Sequence, residues 1–317
     1  MTMDLARQAA AAWGLGHAQM RFVAGRENQV YRITVVSAGH YALRIKRPGH
    51  RRSVELESEL QWMAALGQSG LLVPEPVPSL RGHLLEEVDG HQVDLLTWLP
   101  GQTLGAALQE DPSPDIDGLF HALGQQMARL HDASDAWVVP AGFSRVRWDA
   151  EGLLGEAPVW GRFWEHPALS ADDRHLFRHF RSAARRELQR AQGRLDFGLI
   201  HADLVRENVL VDGDLIGLLD FDDGGWGFRA FDLATTLLKF MGAPAYPVLR
   251  DALLRGYQDL RPLDLGTLDL FLALRATTYV GWVVPRLGED GAQERSQRYV
   301  ATAREVCQRC LPQLPTA

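Results

Sequence analysis

Residues 199–224, LIHADLVRENVLVDGDLIGLLDFDDG, hold the densest run of chemistry-bearing side chains in this 317-residue chain. Asp203 follows His201 by two positions, Asn208 follows Asp203 by five, and Asp220 ends the stretch ahead of Phe221. A carboxylate, an amide oxygen and a second carboxylate are hard donors, suited to Mg²⁺ rather than to a soft metal. For the three to meet, the chain must fold back between Asn208 and Asp220. Val209 to Val211 and Leu215 to Leu219 read as two short strands, and Asp212-Gly213-Asp214 as the turn joining them. Asp203 then stays in the loop before the hairpin, just after the apolar pair Leu199-Ile200.

The elements that must position these side chains fall into two groups. Residues 3 to 13 read as a short amphipathic helix ending at Gly14. Strand character follows at Met20 to Ala24, Gln29 to Val36 and His40 to Lys46, the last two joined by Ser37-Ala38-Gly39. Ser53 to Leu66 carries apolar residues at helical spacing, Pro74, Pro76 and Pro78 break the pattern, and Gly82 to Val88 and Val93 to Leu99 complete a strand-rich third. Beyond Pro100 the periodicity is helical: Thr103 to Leu108, Ile116 to His131, Ala171 to Ala191, Phe231 to Phe240, Pro247 to Tyr257, Leu265 to Val284 and Glu294 to Cys310. The β-rich stretch at 199–220 interrupts them. The pattern predicts an α+β chain of two domains, 1–98 and 99–317, with the boundary near Thr97 to Gly101.

The order His201, Asp203, Asn208 resembles the catalytic loop of protein kinases, and Asp220-Phe221-Asp222 resembles their Asp-Phe-Gly metal motif. The segment is most similar to the aminoglycoside phosphotransferase family, which shares the kinase fold. Within that family it is closest to the bacterial branch of stress-response kinases and type II homoserine kinases. The run Gly227 to Ala234, with Asp232-Leu233-Ala234 opening a helix, adds to the resemblance, which extends over roughly residues 21 to 300. It implies a two-lobed protein-kinase-like fold with a small antiparallel-sheet N-lobe and a larger helical C-lobe. It also implies ATP and Mg²⁺ as cofactors and phosphoryl transfer to an alcohol. In that scheme Asp203 orients the acceptor hydroxyl and accepts its proton, while Asn208 and Asp220 hold the metal. His201 and Asp232 are structural supports of the loop, with a plain helix N-cap the other reading of Asp232. Asp222 reads equally as a metal or water contact and as a solvated turn carboxylate.

The same resemblance aligns Tyr41-Ala42-Leu43-Arg44 with the strand that carries the phosphate-contacting lysine of kinases, so Arg44 takes that place. Lys46 lies two residues on and points to the same face; it and Arg47 read as readily as a solvated strand end. Glu55, Glu57 and Glu59 compete as the partner of Arg44, and Glu59 is preferred for its seven-residue spacing to Leu66. Gly25 to Tyr31 would cover the phosphates, with Asn28 at its centre. Ala42 and Leu210 are candidates for packing on the adenine ring or for ordinary core.

Only 12 positions separate Asp220 from Asp232, no Ala-Pro-Glu follows, and residue 202 is Ala where a phosphate-reading Arg would stand. These features favour a small-molecule alcohol as acceptor. A Ser/Thr protein kinase is the alternative, and an inactive kinase-like binding module is disfavoured by the intact oxygen ligands. From Asp232 onward nine Asp/Glu face ten Lys/Arg, so the acidic excess expected of a site for a polycationic aminoglycoside is absent. Arg275, Tyr279, Trp282 and Arg286 form a helical stripe that reads either as helix packing or, facing the acceptor, as contacts to an anionic or carboxylate-bearing group.

A net charge of −7 and 46% apolar residues argue for an ordinary globular protein without a nucleic-acid partner. No apolar run approaches the roughly 20 residues that span a bilayer, and the N-terminal residues do not read as a signal peptide. The expectation is a cytoplasmic protein without a membrane partner. Cys307 and Cys310 form a lone CxxC without a zinc or redox setting, and read as two thiols on one helical face.

Overall fold

In the computed structural model, which describes residues 3–25, 28–110 and 114–314, alternation of apolar and polar residues sorts the first strands into two faces. The elements begin with α1 (Met3–Ala11), β1 (Gln19–Gly25), β2 (Asn28–Val35), β3 (Gly39–Lys46), α2 (Ser53–Gln68), β4 (Glu86–Val88) and β5 (His91–Thr97). There follow β6 (Gln102–Thr103), α3 (Leu104–Glu110), α4 (Ile116–Ala136), β7 (Arg147–Trp148), α5 (Ala150–Leu154), α6 (Ala171–Arg190) and β8 (Phe197–Ile200). The chain ends with β9 (Val209–Asp212), β10 (Leu215–Leu218), β11 (Gly225–Phe228), α7 (Arg229–Leu238), α8 (Tyr246–Gln258), α9 (Leu268–Trp282) and α10 (Ala292–Cys310).

Two compact units result. The first comprises Met1–Asp111, Ala136–Arg145 and Glu207–Asp222; the second comprises Pro112–Asp135, Val146–Arg206 and Asp223–Ala317. Both are discontinuous in sequence, where one cut near residue 98 was expected. The reason lies in strand pairing. β9 hydrogen-bonds to β6 through Gln102 opposite Val211 and Thr103 opposite Leu210, and Leu218 N–H donates to Leu72 O. The hairpin that carries Asn208 and Asp220 therefore belongs to the first unit.

In that unit an antiparallel sheet has the order β1-β2-β3-β5-β4. Tyr31, Ile33, Leu43, Ile45, Val93 and Leu95 form one face and bury the apolar side of α1. The intervening positions of β3 and β5, Arg44, Lys46 and Asp94, lie on the opposite face by the two-residue period of a strand. There Arg44 meets Glu59 of α2. Glu59 sits on the helix's buried stripe with Leu56, Leu60 and Met63, while Glu57 is exposed.

In the second unit, a small sheet of order β7-β11-β8 packs with the helices. β11 was not foreseen, because Gly-Gly-Trp-Gly-Phe reads as loop. Its glycines have a packing reason. A Cβ on Gly225 would lie 2.2 Å from Val146 O, and one on Gly227 2.4 Å from the Ile200 side chain. Every residue of α7 is buried, as is every residue of α9 from Leu270 to Gly281. Helices covered all round form the interior of such a unit. The helical span expected at 265–284 is shorter, with 3₁₀ turns at Leu265–Thr267 and Val284–Arg286, the latter containing Pro285. Among the described residues no helix is long and apolar enough to cross a membrane.

Candidate active site

Strand β3 places Arg44 with its side chain 7% exposed. Its Nε donates to Asp94 Oδ1 at 2.7 Å, Nη2 to Asp94 Oδ2 at 3.1 Å and Nη1 to Glu59 Oε1 at 2.8 Å. Asp94 is the cross-strand partner of Arg44 in the β3–β5 register, which explains the two-pronged contact. Arg145 adds a third cation, with Nη1 3.4 Å from Glu59 Oε2. Burial would raise the Glu59 pKa, but Lys46, Arg44 and Arg145 outweigh it and hold the carboxyl well below the usual range. Burial likewise opposes the charge of Arg44, and Asp94 and Glu59 reverse the effect, raising its pKa.

Lys46 is not a solvated strand end. It is 3% exposed, with Nζ 3.3 Å from Asp94 Oδ2 and 4.0 Å from Glu59 Oε1, yet Nζ makes no hydrogen bond. Asn28 is its register partner on β2, and Ala42 is half-buried on the same strand face. Arg26 and Glu27 of the expected phosphate-covering turn lie outside the described residues. Leu210 is buried in β9, between Gly217 of β10 and Thr103 of β6.

Within the same unit, Leu219 N–H donates to Asn208 O at 2.8 Å, so the backbone at 208 lies beside the residue preceding Asp220. Asp220 adopts φ 63°, a left-handed conformation that costs an L-residue roughly 1–2 kcal/mol. The turn is held from behind: Phe221 packs edge-on against Trp62 with centroids 5.2 Å apart. Arg145 Nη2 donates to the carbonyls of Phe221 and Asp222 at 2.8 and 2.6 Å. Asp222 is buried, and its Oδ1 accepts no hydrogen bond. Sequence reasoning missed Asp94 and Arg145. The acidic residue inside an apolar strand, HQVDLLT, was a signal for the first; nothing local marks the second.

The loop bearing Asp203 belongs to the second unit. Its backbone hangs from α7. Asp232, fully buried, accepts from His201 N–H at 2.8 Å and from Ala202 N–H at 2.6 Å. Ala202 has φ 65°, a strained value that these bonds maintain. Thr236 Oγ1 donates to Leu204 O at 2.6 Å. His201 is buried, and its Nδ1 accepts from Asp203 N–H at 3.3 Å. A buried His131, unforeseen, bridges Asp232 Oδ2 (3.1 Å) and the Tyr257 hydroxyl (2.8 Å). Burial, followed by the Arg229 charge, lowers the His131 pKa. Burial opposes the ionisation of Asp232, but its bond to His131 and the neighbouring His201 prevail and lower its pKa.

The side chain of Asp203 is 27% exposed and accepts from Arg275 Nη2 at 2.7 Å. Tyr279 lies one turn along α9 and stacks on Tyr299, with Lys239 Nζ 4.2 Å above its ring. Trp282 is half-buried, 6.3 Å from Trp160 by centroids, and carries the Arg286 guanidinium over its ring at 4.1 Å. Tyr279 thus shares a cluster with Asp203 through Arg275, whereas Arg286 turns onto Trp282.

Comparison with known proteins identifies the family of the chain. The profile of a family described as "Phosphotransferase enzyme family" matches residues 19–268. Amicoumacin kinase of Bacillus subtilis (strain 168) is 29% identical over 247 residues, 76% of this chain and 68% of that protein. A homoserine kinase of Chelativorans sp. (strain BNC1) is 31% identical over 273 residues, 83% of this chain and 77% of that protein. The solved structure of the microcompartment-associated aminopropanol kinase matches with a TM-score of 0.85 at 29% identity, over 98% of each chain.

Proposed function

The chain belongs to the phosphotransferase enzyme family, with a protein-kinase-like α+β fold and an alcohol group as acceptor, and we propose that it transfers the γ-phosphate of ATP, with Mg²⁺, to the hydroxyl of a small amino alcohol or hydroxy amino acid. Its family is one of small-molecule kinases, and two of the relatives above are named for aminopropanol and homoserine.

The observation that carries the nucleotide reading is the buried cluster around Glu59. Arg44, Lys46 and Arg145 gather about two carboxylates, Glu59 and Asp94, and the Lys46 ammonium lacks a hydrogen-bond acceptor. A buried cation without a full set of acceptors is costly unless an anion completes it. A triphosphate is such an anion. All three nitrogens of Arg44 are engaged by its two carboxylates, so we read it as the brace that holds Lys46 toward the phosphates, and we read Asn28, Ala42 and Leu210 as lining the same nucleotide side.

The metal ligands are read as Asn208 and Asp220, with Asp222 a further contact whose buried Oδ1 has no donor. Among the described residues no group of three His, Cys, Asp or Glu could hold a metal by itself. That donor set fits Mg²⁺, which commonly takes one or two carboxylates and completes its shell with phosphate oxygens and water. When bound, the ion neutralises charge on the transferring phosphate. Asp203 accepts the hydroxyl proton and orients its oxygen; His201 and Asp232 keep the loop in place.

The test is ADP release from Mg-ATP by the purified protein over a panel of amino alcohols, hydroxy amino acids and a generic protein substrate. One class of small alcohol is expected to stimulate release, Asp203→Ala to abolish it, and Lys46→Met to raise the KM for ATP by about tenfold or more. Full activity in Asp203→Ala, or stimulation by the protein substrate alone, refutes this reading.

A further inference from the structure

Arg275 stands in the middle of α9, 0% exposed, inside a ring of aromatic faces. Its guanidinium carbon lies 4.3 Å from the Tyr279 centroid, 4.7 Å from Trp160 and 5.4 Å from Phe231. Nη2 donates to Asp203 Oδ1 at 2.7 Å and to the Tyr279 hydroxyl at 2.8 Å, while Nε and Nη1 make no hydrogen bond. A side chain without exposed surface is badly placed to receive an acceptor, which was the role its helical stripe suggested.

It is also a poor stabilising device. A buried ion pair whose arginine leaves half its donor edge unused is often worth no more to the fold than well-packed apolar residues of similar volume. What the arrangement does provide is rigidity: the rings fix the plane of the guanidinium, and the planar fork fixes where its one carboxylate partner can sit.

We propose that Arg275 is a positioning residue for Asp203, locking the carboxylate in the orientation from which it meets the acceptor hydroxyl. The proposal rests on the reading of Asp203 as proton acceptor. The loop is then anchored twice. Asp232 and Thr236 of α7 hold its main chain, and Arg275 of α9 holds the reactive side chain. Phe231, next to Asp232, packs on the same guanidinium and joins the two anchors.

The experiment compares Arg275→Met, Arg275→Lys, Asp203→Asn and the Met/Asn double variant, following ADP release from Mg-ATP with water as acceptor. A carboxylate displaced by about 1 Å loses roughly 100-fold in rate, so Arg275→Met should lower kcat by that factor. The KM for ATP should stay within about twofold, since only transition-state geometry is disturbed. Lysine keeps the charge without the fork and should fall between Met and wild type. The double variant should be no slower than Asp203→Asn. The melting temperature of the Met/Asn double variant should equal or exceed that of Asp203→Asn, because removing Arg275 then strands no carboxylate; a merely structural arginine would not allow that. Should the Met variant fail to fold, Tyr279→Phe removes one acceptor of Nη2 while keeping the ring, and should lower kcat several-fold at unchanged KM.

A wild-type kcat in Arg275→Met or Tyr279→Phe, a loss confined to KM, or losses that multiply in the double variant would overturn the proposal. If Asp203→Asn itself turns over normally, the assignment of Asp203 fails first, and the two failures are told apart.

Discussion

Replacing Asp232 by asparagine asks how much the fold invests in the loop that carries Asp203. The substitution conserves volume, so no cavity forms. Asp232 now accepts at 2.8 Å from His201 N–H and at 2.6 Å from Ala202 N–H, with all partners buried. Asparagine offers one oxygen to these two donors, and its NH₂ faces the other. The abandoned N–H costs about 2 kcal/mol, and the surviving bond, no longer charge-assisted, weakens by roughly 1 kcal/mol. Release of Ala202 from its left-handed φ of 65° returns about 1 kcal/mol. The net loss is about 2 kcal/mol, a fall of roughly 4–8 °C in melting temperature for a unit of this size. With the loop untethered, kcat should drop about 100-fold while the KM for ATP holds, because Arg44, Lys46 and Glu59 belong to the other compact unit. Calorimetry and ADP release measure both. A melting point within about 1 °C of wild type would show that the two short bonds do not carry the load assigned here.

Stability should follow pH in two stages. The His131 pKa is lowered by burial and, in second place, by Arg229, so its neutral form is favoured in the fold. The stability this gives is complete above the unfolded value of about 6.5 and declines as pH falls below it. The depressed carboxyls of Glu59, Asp232 and Asp173, the last held down to about 2 by Arg304, contribute above about pH 4 and are lost as acid reaches their folded values. Melting temperatures that rise on acidification from pH 7 to 5 would contradict this sign. Cys307 and Cys310 lie on the inner face of α10, and burial pushes the Cys310 thiol up to about 12. Neither should react with iodoacetamide at pH 8 until urea unfolds the chain, and rapid labelling of the folded protein would be inconsistent with their burial.

The parts legible in the sequence are those whose information is local. The spacing of His201, Asp203, Asn208 and Asp220 lies in one loop and one hairpin, where turn residues and strand period decide the geometry. Glu59 could be preferred over Glu55 and Glu57 for its seven-residue spacing to Leu66, and in the structure it meets Arg44 at 2.8 Å. The α+β character followed from the change of hydrophobic period near residue 100.

Tertiary structure alone decided the partners that come from far along the chain. Asp94 is 50 residues from Arg44, Arg145 is 86 from Glu59, and Arg275 is 72 from Asp203. No local period encodes a charge pair between separate elements. β11 was hidden for a related reason, since its glycines serve close contacts rather than strand propensity. Lys46 read as readily as a solvated strand end, and Arg275 as part of a packing stripe or an acceptor contact. Burial of a cation depends on which carboxylates and rings other elements bring to it, and that is settled only when the chain packs.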